Sequence, residues 1–121
     1  MRYLPRGVYD CLPCSYVAVG CAYENTNGKA FNLPLQAGLK DDGYFTLDNM
    51  NKFIRGIFSV KKKVYYKRNE RMILSEFLKT NTENCIVCLL GHYIFVSEKD
   101  YWSFFDNVND DVVCVWYLKV I

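Results

Sequence analysis

The chain has 121 residues, which fits one domain with a real core and leaves no room for two. Hydrophobic residues make up 51%, aromatics 17% and charged residues 23%, a balance that excludes a disordered or fibrous chain. A formal net charge of +2 is too small to imply a polyanionic partner, and the basic run Lys61-Lys62-Lys63 with Lys67-Arg68 reads as a solvated strand face before it reads as a nucleic-acid footprint.

No apolar run is long enough to span a membrane, and the stretch from Met1 to Gly7 lacks the apolar core of a signal peptide. The expectation is an intracellular protein with no membrane partner, in which the six cysteines are mainly reduced thiols.

In chain order, helices come first. Asp10 is a good N-cap, and Cys11 to about Tyr23 carries enough apolar residues for a helix buried on several sides, with Asn25-Thr26-Asn27-Gly28 as its stop. Pro34 predicts a short or broken helix between Phe31 and Leu39, and Asp41-Asp42-Gly43 predicts a turn. Thr46 can cap a second helix whose apolar residues Leu47, Met50, Phe53, Ile54 and Ile57 recur at helical spacing. Val60 to Tyr66 predicts an amphipathic strand bearing the lysines, and Asn69 can cap a third helix presenting Met72, Ile73, Phe77 and Leu78.

From Cys85 onward the pattern changes to four β-rich runs: Cys85–Leu90, His92–Ser97, Tyr101–Phe105 and Val112–Lys119. The short spacings favour antiparallel hairpins. The expected class is α+β, a helical N-terminal half packed on a C-terminal antiparallel sheet, as one domain over residues 1–121.

The chain's one histidine, His92, opens the apolar run Gly91-His92-Tyr93-Ile94-Phe95-Val96, which leads on to Asp106 and Asn107. A nucleophilic cysteine must be a thiolate, and the partial positive charge of a helix N-terminus favours that form, as would a nearby imidazolium. Cys11 follows directly on the Asp10 cap, so it holds that position. Asp106 falls where the next antiparallel strand would return beside His92, and its carboxylate could fix the imidazole tautomer. Cys14 competes with Cys11 because Pro13, if it is the first helical residue, moves the helix start forward, but Cys11 is preferred and Cys14 is expected to face the core. Cys21, Cys85, Cys88 and Cys114 sit in apolar runs and are expected in the core.

Two further chemistries are open to the cysteines. Cys11-Leu12-Pro13-Cys14 and Cys85-Ile86-Val87-Cys88 are both C-x-x-C and could together suggest zinc. The second pair lies on a predicted strand, where residues three apart face opposite sides, so no metal or cofactor site is assigned. The first pair also has the form of a thioredoxin-like redox motif, but too little chain precedes it, and neither Pro5 nor Pro34 stands where that fold's later cis-proline would.

Asp10-Cys11-Leu12-Pro13-Cys14, Gly91-His92-Tyr93-Ile94-Phe95-Val96 and Tyr101-Trp102-Ser103-Phe104-Phe105-Asp106, in this order, resemble small papain-like cysteine peptidases. The likeness is to bacteriocin-processing peptidase domains and to compact papain-like proteins of bacteriophages. It implies a cysteine peptidase-like phage or viral accessory protein, located in the host cytoplasm or associated with the virion. Its substrate would be a peptide or protein, cleaved at an amide or isopeptide bond.

By the resemblance Cys11 is the nucleophile, His92 the base and Asp106 the orienting residue, with Asn107 as the alternative third member. Papain-like enzymes usually carry a Gln or Asn shortly before the cysteine as an oxyanion donor, and Arg2 to Tyr9 contains neither. That leaves the nucleophile's own N–H and a donor such as Arg6 or Tyr9. The alternative from another functional class is a catalytically silent protein of the same fold acting through an interaction surface.

Overall fold

A computed structural model describes residues 2–3, 14–28, 46–103 and 106–119 of the chain. The expected cap Asp10, the expected nucleophile Cys11, the candidate donors Arg6 and Tyr9, the predicted broken helix at 31–39 and the turn at 41–43 lie outside the described residues.

The elements are β1 (Arg2–Tyr3), α1 (Cys14–Asn27), α2 (Leu47–Ile57), β2 (Val60–Tyr65), α3 (Leu74–Thr80), β3 (Asn84–Leu89), β4 (His92–Ser97), β5 (Asp100–Ser103) and β6 (Val112–Leu118). The class is α+β. Strands β5-β4-β3-β6-β2 form an antiparallel sheet, and the two-residue β1 adds in parallel beside β5.

Two tight turns fix the sheet's register. Leu89 faces His92 across Leu90-Gly91, where Gly91 takes a positive φ of 83°, and Ser97 faces Asp100 across Glu98-Lys99. Glu98 also has a positive φ, 56°, in a region that L side chains occupy at a cost.

The central strands explain the layering. β3 and β6 are buried along almost their whole length and β4 through its middle, so both sheet faces are apolar and both need cover. On one face α1 and α2 pack Val17, Cys21, Met50 and Ile54 onto Ile86, Cys88, Tyr93, Phe95, Cys114 and Trp116. On the other, α3 packs Leu74 and Phe77 onto Cys85, Val87, Leu89, Ile94, Val96 and Val115. The helices therefore divide between the two faces instead of forming a single helical half. Trp116 donates its indole N–H to Asn51 Oδ1 at 3.0 Å, which ties β6 to α2.

Local sequence accounts for several element ends. Thr46 caps α2 as its position predicts, its hydroxyl accepting the Asn49 N–H. The polar residues read as a stop to α1 lie inside its last turn. Asn25 Nδ2 donates to Cys21 O at 2.7 Å, Thr26 Oγ1 donates to Ala22 O at 2.8 Å, and Gly28 then leaves the helix at a φ of 69°. Three successive lysines are exposed on β2, the last strand in the sheet order, and the pairing with β6 shifts between Val60 and Lys62, leaving Lys61 without a register partner.

The third helix begins later than Asn69 suggests. Residues 68–70 form a turn, and Ile73 is the N-cap of α3. The reason is non-local. Met72 O accepts the Val112 N–H, Ile73 bridges Asp111, and the first α3 amides, Leu74 and Ser75, donate to Asp110 O and Val108 O. Backbone already committed to the strand that follows cannot start a helix, and loop carbonyls do the work of a side-chain cap. No helix among the described residues is long and apolar enough to cross a membrane.

Candidate active site

α1 lies across β4 and β3. Between the head of α1 and the ends of β4 and β5 is a narrow crevice of about 10 Å³, bordered by Cys14, Val17 and Ala18 on the helix and by His92, Trp102 and Ser103 on the sheet. Cys14 is the first described residue of α1 and is half-buried, at the end of the helix where the dipole favours negative charge. The crevice is bordered by both His92 and Cys14, as it is by Ile94, whose side chain packs on the other face of the sheet.

His92 occupies a boundary position. Tyr93 and Phe95 face α1, while Leu89, Ile94 and Val96 belong to the α3 side, and strict alternation groups His92 with the latter. As the first residue of β4, beside the two-residue turn, it also borders the α1 crevice. Burial lowers its pKa below the usual 6.5, and the carboxylate of Asp110 works weakly in the opposite direction. The imidazole is therefore neutral at neutral pH and able to accept a proton.

Asp106 and Asn107 have different surroundings. Asp106 is exposed, and its Oδ1 accepts both the Tyr101 hydroxyl and the Val108 N–H at 3.0 Å, the pattern of an Asx-turn that shapes the loop after β5. Asn107 is only 2% exposed. Its Oδ1 accepts the Ser103 hydroxyl at 2.6 Å, its Nδ2 donates to Asp110 Oδ2 at 2.8 Å, and its backbone N–H donates to the Tyr101 hydroxyl oxygen at 3.1 Å.

A polar chain thus runs from Ser103, on the crevice wall, through Asn107 to Asp110, the acid whose field reaches His92. Asp110 was not among the sequence candidates because Asn109-Asp110-Asp111 reads as turn punctuation. The available signal was the i,i+3 spacing of Asn107 and Asp110, which lets one turn bring amide and carboxylate together.

The remaining described thiols are chemically quiet. Burial raises the pKa of Cys21 and Cys88 to about 12 and that of Cys114 to about 11, and it pushes Cys85 up as well. Cys85 and Cys88 belong to the cores on opposite sides of the sheet, as residues three apart on a strand must. No cluster of three metal-ligating side chains occurs among the described residues. Comparison with protein-family models, with curated proteins and with solved structures finds no match to this chain.

Proposed function

We propose that the chain is a cysteine-nucleophile hydrolase of papain-like type, acting on an amide or isopeptide bond of a peptide or protein. The observation that carries this reading is the shared crevice of Cys14, at the described head of α1, and His92, the only imidazole in the chain. The nucleophile belongs to the motif Asp10-Cys11-Leu12-Pro13-Cys14. The family resemblance favours Cys11, and the described crevice holds Cys14.

The chemistry follows from a neutral base. His92 takes the thiol proton as sulfur attacks the carbonyl carbon, and it returns that proton to the leaving amine as the C–N bond breaks, leaving a thioester. Water then gives a proton to His92 and its oxygen to the acyl carbon. Collapse of that adduct releases the acid and restores the thiol. As third member the resemblance offers Asp106 or Asn107. The buried position of Asn107 and its bond to Asp110, whose charge opposes the effect of burial on His92, support Asn107 over the exposed Asp106.

The test is trapping with a peptidyl acyloxymethyl ketone, read by intact mass and peptide mapping. The proposal expects one adduct, on Cys11 or Cys14, that is lost in a folded His92→Ala variant. Labelling that ignores His92, or none at all across a panel of peptide sequences, supports the second reading, a catalytically silent interaction protein.

A further inference from the structure

β2 ends the sheet, and among the described residues β6 is its one partner. Tyr66 N–H donates to Val113 O, and Lys119 N–H donates to Ser59 O, each at 2.9 Å. Antiparallel alternation then turns the backbone groups of Val64 and Lys62 inward to β6, and those of Lys63 and Tyr65 away from it, where no strand pairs with them among the described residues. Lys61, Lys62 and Lys63 are exposed, and Tyr65 is 52% exposed.

The lysines bracket this edge from both sides of the sheet. Lys62 Nζ lies 4.8 Å from the Tyr117 ring centroid and Lys63 Nζ lies 5.8 Å from that of Trp116. Tyr117 and Trp116 are adjacent on β6 and so face opposite ways. Among the described residues one carboxylate is ion-paired within this group, Glu83 to Lys61 at 2.6 Å. Lys67 and Arg68 continue the exposed positive charge beyond the strand.

We propose that β2 is a strand-addition site for an extended, acidic segment of a partner protein. The outward amides and carbonyls of Lys63 and Tyr65 supply the ladder, and lysines on the two faces of the sheet select acidic side chains on both faces of the added strand. A polynucleotide would need a flat basic face with stacking rings and has no use for edge amides. Lysines on an edge also discourage pairing with a second copy, so one set of charges rejects self and admits an acidic chain. This inference is independent of the thiol chemistry, since β2 lies at the other end of the sheet from β5 and the crevice.

The experiment is fluorescence anisotropy of the full chain with a short labelled peptide of Glu, Val and Thr. Controls are the same peptide with Lys for Glu and one N-methylated at alternate amides. The acidic peptide should bind and the Lys peptide should not. N-methylation should weaken binding about tenfold or more, since one lost pair of ladder bonds is worth about that factor. Lys63→Pro should preserve the circular dichroism spectrum, because its N–H is not used within the sheet, and should abolish binding.

Equal binding of the N-methylated peptide would overturn the proposal in favour of simple charge attraction. So would absence of acidic-peptide binding together with self-association of a Lys62→Thr, Lys63→Thr variant, which would make the lysines guards only. If Lys63→Pro fails to fold, the N-methylated peptide still decides.

Discussion

Asn107→Ala removes the central link of the polar chain behind the crevice, and its cost can be worked from the structure. Two side-chain bonds are lost, one from the Ser103 hydroxyl at 2.6 Å and one to the Asp110 carboxylate at 2.8 Å, while the backbone bond to Tyr101 survives. The neutral bond is worth about 1 kcal/mol and the charge-assisted one about 2 kcal/mol. Ser103, 1% exposed, loses the acceptor that the structure gives it.

The expected loss is therefore about 3 kcal/mol, which for a chain of this size lowers Tm by about 10 °C. Urea unfolding of the wild type, Asn107→Ala, Ser103→Ala and the double variant measures the total and isolates the Ser103–Asn107 coupling, expected near 1 kcal/mol. A loss below about 0.5 kcal/mol, or a coupling indistinguishable from zero, would refute the claim that this network is buried and satisfied.

Three other outcomes are expected. His92 has a folded-state pKa below its unfolded value of about 6.5, so between those pKa values the unfolded chain binds more protons. Stability should be full above about pH 6.5 and fall as pH drops below it, a trend absent in His92→Gln and measurable by urea unfolding across pH. Glu98→Gly should stabilise the chain by up to about 1 kcal/mol, because relief of a positive φ outweighs the added entropy of the unfolded chain, and a thermal melt reads it. Cys21, Cys85, Cys88 and Cys114 should resist alkylation in the native state at pH 8 and react on unfolding, as mapped by mass spectrometry.

Features set by neighbouring residues were legible in the sequence. Thr46 caps α2, β4 has the bounds His92–Ser97, and Cys85 and Cys88 part to opposite faces, each through a local rule of capping or alternation. What escaped depends on distant chain. Asn69 has the chemistry of a cap, but residues 72–74 are already bonded to 110–112, so the helix waits until Leu74. The placement of α3 on the second face follows from strands apolar on both sides, a property of the assembled sheet.

The candidate site shows the same division. Motif order pointed to Cys11 with His92; Cys11 lies outside the described residues, and Cys14, expected to face the core, packs against the α1-side core beside the crevice that His92 borders. The roles of Asp106 and Asn107 were not separable by sequence, since adjacent residues in a turn can exchange exposure. The fold exposes Asp106 to shape the turn and buries Asn107 against Ser103 and Asp110. Asp110 needed the folded turn to become visible as an acid whose charge reaches His92.

Whether His92 activates a thiol is read by the pH profile of iodoacetamide alkylation at Cys11 and Cys14, resolved residue by residue in wild type and in His92→Ala. One of these thiols should react faster than it does in the denatured chain, and its rate should drop several-fold when the imidazole is removed while the fold persists. Two thiols reacting at the denatured-chain rate, both unaffected by His92→Ala, would contradict that activation.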